Sequence, residues 1–152
     1  MRNALRNVLG VLVGIVLGGA VNMAIVTAGP VLIPPPPGVD MTTAKGLSAA
    51  LPLLEPKHFV APFLAHALGT LAGALVAYLI AASHLSRIAY GIGVVFLAGG
   101  IAACFLIPAP AWFMALDLVA AYIPMAWVAV QIGARLKPGN SLVPGVSARH
   151  QQ

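Results

Sequence analysis

Four polar side chains interrupt long apolar stretches of this sequence and are its best candidates for chemistry. Asn22, His66, Thr70 and Asp117 supply an amide, an imidazole, a hydroxyl and a carboxylate. In a dry site an imidazole and a carboxylate can exchange a proton near neutral pH. Three roles are open for this group: a hydrogen-bond network that fixes the register of the helices, a proton relay, or a site for a ligand or ion.

The surrounding composition excludes most soluble classes of protein. Of 152 residues, 61% are hydrophobic and only 7% are charged, whereas a soluble domain carries roughly 25% charged residues. The mean hydropathy is +0.99. The net charge of +5 comes from basic residues that are too few and too scattered to form a nucleic-acid-binding patch. We therefore expect an integral membrane protein whose partner is the lipid bilayer, not nucleic acid.

Four apolar segments are long enough to cross a membrane as helices. They cover about residues 5–28, 59–82, 88–107 and 112–132. Each has ~20 residues or more, the length that ~30 Å of hydrocarbon requires. The predicted fold is all-α, a four-transmembrane-helix bundle that forms a single domain over residues 1–135. An outer loop at 29–58 and a flexible cytoplasmic tail at 136–152 complete the prediction.

The basic residues set the expected orientation. Six of the eight lysines and arginines lie at the N-terminus, between the second and third segments, or after the fourth. With four spans these regions share one side, and the positive-inside rule makes that side the cytoplasm. We also expect the first segment to be a retained helix, because its apolar run is longer than the roughly 7–15 residues of a signal peptide.

The helix positions of three polar residues place them at nearly one depth. Asn22 lies six residues before the outer end of the first predicted helix, His66 seven residues into the second, and Asp117 five residues into the fourth. At 1.5 Å per residue these positions are about 8–10 Å deep. Polar groups inside a membrane usually face inward and pair. We expect an inward cluster of Asn22, His66 and Asp117, with Thr70 one turn below His66.

Glycines recur on one face of three predicted helices. Small residues three or four positions apart let a neighbouring helix approach closely. We interpret them as helix-packing positions, mainly within one chain, with a homodimer contact as the alternative. The positions are Gly10, Gly14 and Gly18 in the first segment, Gly69 and Gly73 in the second, and Gly93 and Gly100 in the third.

Prolines are expected to determine the backbone conformation in two segments of the chain. Pro124 lies inside the fourth segment, where a proline removes one hydrogen bond and frees the carbonyl group of Ala120. It predicts a helix kink on the same face as Asp117. Four consecutive prolines at 34–37 predict a stiff polyproline II stretch in the outer loop.

The sequence indicates no metal, no cofactor and no familiar catalytic motif. One histidine and one aspartate are too few ligands for zinc, even with Glu55 and His58 near the outer rim. Haem would need a second transmembrane histidine on another helix. The single cysteine, Cys104, is interpreted as a packing residue. The sequence contains no GxSxG, HExxH or P-loop pattern.

Several segments carry a resemblance to known sequences. They are Glu55–Phe59, Pro62–Leu71, Pro108–Phe113, and Asp117–Leu118 with Ala121–Ala126. Together they resemble an uncharacterised family of small bacterial four-helix integral membrane proteins with no assigned activity, over roughly residues 8–135. The resemblance implies a multi-pass protein of the bacterial inner (plasma) membrane. It implies neither a substrate nor catalytic residues.

These observations favour a small integral membrane protein with a structural or accessory role. One alternative is an oligomeric transporter or proton-coupled carrier that uses Asn22, His66 and Asp117. It would act as a homo-oligomer or with a partner membrane subunit, because four short helices seldom enclose a pathway alone. The other alternative is a membrane enzyme that acts on a lipid or quinone, with His66 and Asp117 as acid and base.

Overall fold

The computed structural model describes residues 2–38 and 43–138, and the described residues form helices, short turns and connecting loops with no strand. Two 3-10 turns, Leu51–Leu53 and Pro56–Phe59, precede the third helix. The predicted tail lies outside the described residues from position 139 onward. The helices are α1 (Arg2–Leu32), α2 (Ala44–Ala50), α3 (Val60–Ile80), α4 (Leu85–Leu106), α5 (Ala111–Ala120) and α6 (Ile123–Leu136).

Four segments are long and apolar enough to cross a membrane, by length and composition. The prediction of an all-helical chain with four such segments is therefore confirmed. α1 continues beyond its predicted end at residue 28, because Pro30 removes only one hydrogen bond close to the end of the helix. It ends before the proline run, since the residue that precedes a proline disfavours the helical conformation. The four segments are Arg2–Leu32, Pro56–Ile80, Leu85–Leu106 and Ala111–Leu136.

The fourth predicted segment, 112–132, is not one continuous helix. α5 ends at Ala120 and α6 begins at Ile123, so Ala121 and Tyr122 separate them. Pro124 lies in the first turn of α6, where a helix tolerates proline because the first amide groups have no helical partner. The expectation of a kinked but unbroken helix is thus corrected to a break before Pro124.

α1 lies directly against α3 along a line of glycines. A Cβ atom added to Gly14 would lie 2.6 Å from the carbonyl oxygen of Gly73. A Cβ atom added to Gly18 would lie 2.6 Å from the carbonyl oxygen of Gly69. Only glycine allows two helix backbones to come this close. We call this line the glycine seam, formed by Gly10, Gly14 and Gly18 of α1 with Gly69, Gly73 and Ala77 of α3.

The buried centre of the molecule lies between α3, α4 and α6 and consists mostly of small side chains. A Cβ atom added to Gly93 of α4 would lie 2.8 Å from Cβ of Ala126, and Gly100 lies against the ring of Tyr122. Small residues therefore bring α4 close to α6 and to the break before it. The fully buried members of the centre include Ala74, Ala77, Ala89, Ile92, Ala126 and Ala129.

Polar contacts gather at the end of the bundle that holds the α3–α4 turn, which we call the turn end. Arg6 of α1 donates to the carbonyl oxygen of Ile80 at 3.0 Å. Lys137, just after α6, donates to the carbonyl oxygens of Leu79 and Ala81 at 3.2 and 2.9 Å. The last carbonyl groups of a helix have no partner within the helix, and these two cations provide partners for them at the end of α3.

Candidate functional site

The centre of the candidate site is a direct contact between His66 of α3 and Asp117 of α5. Nδ1 of His66 lies 2.8 Å from Oδ2 of Asp117 and 2.9 Å from Oδ1. Asp117 is 4% exposed, and the His66 side chain is 23% exposed. An ionised carboxylate can only accept, so Nδ1 carries the hydrogen in this contact when Asp117 is ionised. In the neutral imidazole the other nitrogen, Nε2, then has a free lone pair.

Tyr122 completes the contact and is a residue that the sequence analysis missed. Its hydroxyl group donates to Oδ2 of Asp117 at 2.9 Å, and its ring stacks on the ring of His66 with centroids 5.8 Å apart. In a continuous helix Asp117 and Tyr122 would point about 140° apart, since each residue turns the helix by about 100°. The break after Ala120 removes that constraint and allows Tyr122 to reach the carboxylate. The Ile-Pro pair that follows Tyr122 is the only sequence signal for it.

An aromatic cluster fixes α3 and α5 at the register that the site needs. Phe59, just before α3, lies 4.9 Å from Phe113 and 5.4 Å from Trp112 between ring centroids. His66 follows Phe59 by seven residues, and Asp117 follows Phe113 by four. Both spacings return to the same face of a helix. The aromatic contact therefore brings the imidazole and the carboxylate to one level.

A cavity of about 230 Å³ lies beside this network. It is bounded by α1, α3, α4 and the break between α5 and α6. Thr70 is 1% exposed, and its hydroxyl group has no hydrogen-bond partner among the described residues. The residues that line the cavity are Gly18, Asn22, His66, Gly69, Thr70, Phe96, Gly99, Gly100, Ala103 and Tyr122.

The structure brings the predicted cluster together around this cavity in two layers. Asn22, His66 and Thr70 line the cavity, while Asp117 lies behind His66 and holds its Nδ1. In the described part of the chain, neither the Asn22 amide nor Nε2 of His66 bonds to another residue. The cavity is therefore lined by residues that carry an imidazole, an amide and a hydroxyl group.

This arrangement has a recognisable chemical capability. A carboxylate that accepts from Nδ1 fixes the imidazole ring and its tautomer, and it makes Nε2 a better proton acceptor. Such an imidazole can accept a hydrogen bond or a proton from a bound molecule. The hydroxyl of Tyr122 occupies one further lone pair of the carboxylate, so the orientation of Asp117 is itself fixed.

The remaining predicted residues lie outside this network. Glu55 and His58 form a local cap: the Glu55 amide donates to Nδ1 of His58 at 2.9 Å, and Lys57 pairs with the Glu55 carboxylate at 2.9 Å. Hydrogen bonding to Lys57 holds the pKa of the Glu55 carboxyl below its usual range. Among the described residues no three metal-ligating side chains come together. The structure places the seven predicted packing glycines at close helix contacts within the chain.

Comparisons with known proteins found no relative of this chain. No family model, curated protein or solved structure matches this chain.

Proposed function

We propose that the chain is an integral membrane protein with four spans and both termini on the cytoplasmic side of a bacterial inner membrane. The hydropathy of the four segments supports the spans. Contacts of Arg6 and Lys137 with the end of α3 support a common end for the N-terminus, the α3–α4 turn and the end of α6. Five of the six basic residues that indicate the cytoplasmic side lie among the described residues at that end: Arg2, Arg6, Arg87, Arg135 and Lys137.

The proposed function is to bind a small hydrogen-bonding ligand in the cavity beside His66, with His66 as the group that accepts its proton or hydrogen bond. One observation carries this proposal: a cavity of about 230 Å³ is lined by His66, whose Nδ1 is held by Asp117, and by Thr70, whose buried hydroxyl has no partner among the described residues. Protein interiors close voids larger than a water molecule, and polar cavities are normally filled. A carrier or an enzyme of lipids or quinones would both use such a site.

A structural or accessory role without a ligand is the second candidate. It is favoured by the hydrogen bonds of Asp117, which join α3, α5 and the residue just before α6. In that case the network would only hold the broken fourth segment against α3. Water would then fill the cavity.

His66→Asn separates the two candidates. The asparagine amide can replace Nδ1 as the donor to Asp117, but it leaves nothing at the position of Nε2. Native mass spectrometry of the protein released from its own membrane should detect a bound small molecule on the wild type and its loss from His66→Asn. His84→Asn is the matched control, because His84 is exposed and does not line the cavity.

The same experiment also has an outcome that would contradict the ligand-binding proposal. A wild-type protein that carries no adduct, with the free energy of unfolding lowered in His66→Asn, would favour the accessory role. The measured mass also reports the number of copies and any partner subunit. It therefore tests the expectation that a carrier would work as an oligomer.

A further inference from the structure

We propose, on the basis of the ligand site above, that the cavity receives the uncharged, hydroxyl-bearing head group of a membrane lipid. The lipid enters sideways between α1 and α4, and its hydrocarbon part stays outside the protein. This inference names the class of ligand and its route.

The route follows from which walls of the cavity are closed. α1 is sealed against α3 by the glycine seam, and α4 is sealed at the break by the contact of Gly100 with Tyr122. Apart from His66, whose Nδ1 side is covered by Asp117, the more exposed lining residues come from α1 and α4: Gly99 is exposed, and Asn22, Phe96 and Ala103 are half-buried. The mouth therefore lies between these two helices. Exposed apolar side chains lie on the same helix faces: Val26 follows Asn22 by four residues, and Leu106 follows Gly99 by seven.

The mouth is kept open by Gly99. A Cβ atom added there would have no atom of the described residues within 4 Å. Gly99 lies seven residues before the end of α4, about 10 Å along the helix axis. In the proposed orientation the mouth therefore faces the hydrocarbon of the outer leaflet, and a ligand arriving there comes from the bilayer.

The volume fits a head group and not a whole lipid. The cavity holds about 230 Å³, whereas pockets that enclose a drug-sized ligand measure roughly 300–1,000 Å³. A molecule with one small polar end and a long apolar remainder satisfies both the cavity and its apolar surroundings.

The charges favour a neutral head group. The residues that line the cavity include no lysine or arginine in the part of the chain that the structure describes. The carboxylate of Asp117 lies directly behind His66. A phosphate in the cavity would thus find no lysine or arginine as a partner and would lie close to a buried carboxyl group, and an unpaired buried charge is costly.

The hydrogen-bonding groups favour a hydroxyl. Nε2 of His66 accepts one hydrogen bond, whereas the Asn22 amide and the Thr70 hydroxyl can donate or accept. A head group with a hydroxyl donor for His66 and a second oxygen that accepts from both Asn22 and Thr70 satisfies all three. Diacylglycerols and quinols both carry this chemistry, and they are distinguished by experiment.

The test uses the full chain in nanodiscs of phosphatidylcholine and measures retained lipid by native mass spectrometry. The probes are dioleoylglycerol, dioleoylphosphatidic acid, a long-chain quinol and its quinone. Phosphatidic acid differs from dioleoylglycerol only by a phosphate on the hydroxyl group. We expect dioleoylglycerol or the quinol to be retained. Phosphatidic acid and the quinone should stay at background.

Gly99→Leu tests the route without touching the polar network. A leucine there would fill the mouth, and we expect a loss of about tenfold or more in retention, which corresponds to about 1.4 kcal/mol. Gly91→Leu is the matched control, because Gly91 is also exposed on α4 with open space around it and does not line the cavity. Its retention should equal that of the wild type.

The outcomes separate this inference from the function on which it rests. Retention of phosphatidic acid or of the quinone above background, or equal retention by Gly99→Leu and Gly91→Leu, overturns the inference. A native adduct that depends on His66, with none of the four probes retained, leaves the ligand site standing and the lipid class wrong. If no His66-dependent adduct and no retained probe are found, the proposed function and this inference both fail.

Discussion

α1 meets its two neighbours in opposite ways. Against α3 it forms the glycine seam, where backbone atoms of the two helices touch. Against α4 it leaves the cavity, whose mouth is bordered by Asn22 and Gly99. Both sides are rich in glycine, so glycine content alone does not indicate close packing. Gly14 is buried under a carbonyl oxygen, whereas Gly99 has open space where a side chain would be.

The largest loss of stability is expected when a larger side chain is placed in the glycine seam. Gly14→Val would place its Cβ 2.6 Å from the carbonyl oxygen of Gly73 and 2.9 Å from Cβ of Ala77. Because the nearest atom belongs to backbone, α1 must move, and we expect a loss of about 3 kcal/mol or more, at the upper end of what overpacking costs. The free energy of unfolding in mixed micelles measures the effect.

Gly19→Val is the control for the seam, since Gly19 is on the same helix and has no described atom within 4 Å of an added Cβ. We expect its free energy of unfolding to stay within about 0.5 kcal/mol of the wild type. If both variants are destabilised equally, the seam is not a close contact.

A smaller loss is expected on the cavity side from Tyr122→Phe. This change removes the hydrogen bond to the Asp117 carboxylate, and hydrogen bonds to charged groups contribute about 1.5–3 kcal/mol. The ring also lies against Gly100, so some relief of crowding should bring the loss towards the lower figure. Tyr90→Phe, on a half-buried ring of α4, should change the free energy of unfolding much less. Equal effects of the two variants would contradict the proposed role of Tyr122.

The smallest effect on stability is expected from Thr70→Val, which has nearly the same shape. The Thr70 hydroxyl is buried without a partner among the described residues, so its removal should leave stability unchanged or raise it by about 1 kcal/mol. If the cavity binds a ligand, retention of the adduct should nevertheless fall. Lower stability with unchanged retention would mean that the hydroxyl serves the fold and not a ligand.

Much of the fold follows from the sequence because hydropathy and length depend on local composition. The four long apolar segments are evident in this way, and the levels of His66 and Asp117 follow from counting residues along their helices. Counting works for these two because α3 and α5 each run without interruption between the aromatic cluster and the polar residue. The contact itself depends on the register set by Phe59 and Phe113.

The site could not be predicted completely because the fourth segment breaks. Helical phase places Tyr122 away from Asp117, and only the interruption at Ala121 and Tyr122 allows the bond. The cavity was also hidden from sequence reasoning. A small-residue pattern predicts that helices can approach, but it does not predict which glycine is covered by a neighbour and which stays open.

The contacts at the turn end have a consequence for biogenesis. Asn7 is made first, and its Oδ1 accepts from the amides of Ala82 and Ser83 at 3.0 and 3.2 Å. Lys137 is made after the four long apolar segments, and it donates to the carbonyl groups of Leu79 and Ala81. The end of α3 therefore acquires its partners in two stages during translation. A nascent chain that stops before residue 137 can form the first set and lacks the second, so the contacts at the turn end are completed only after the segment Ala111–Leu136 has been made.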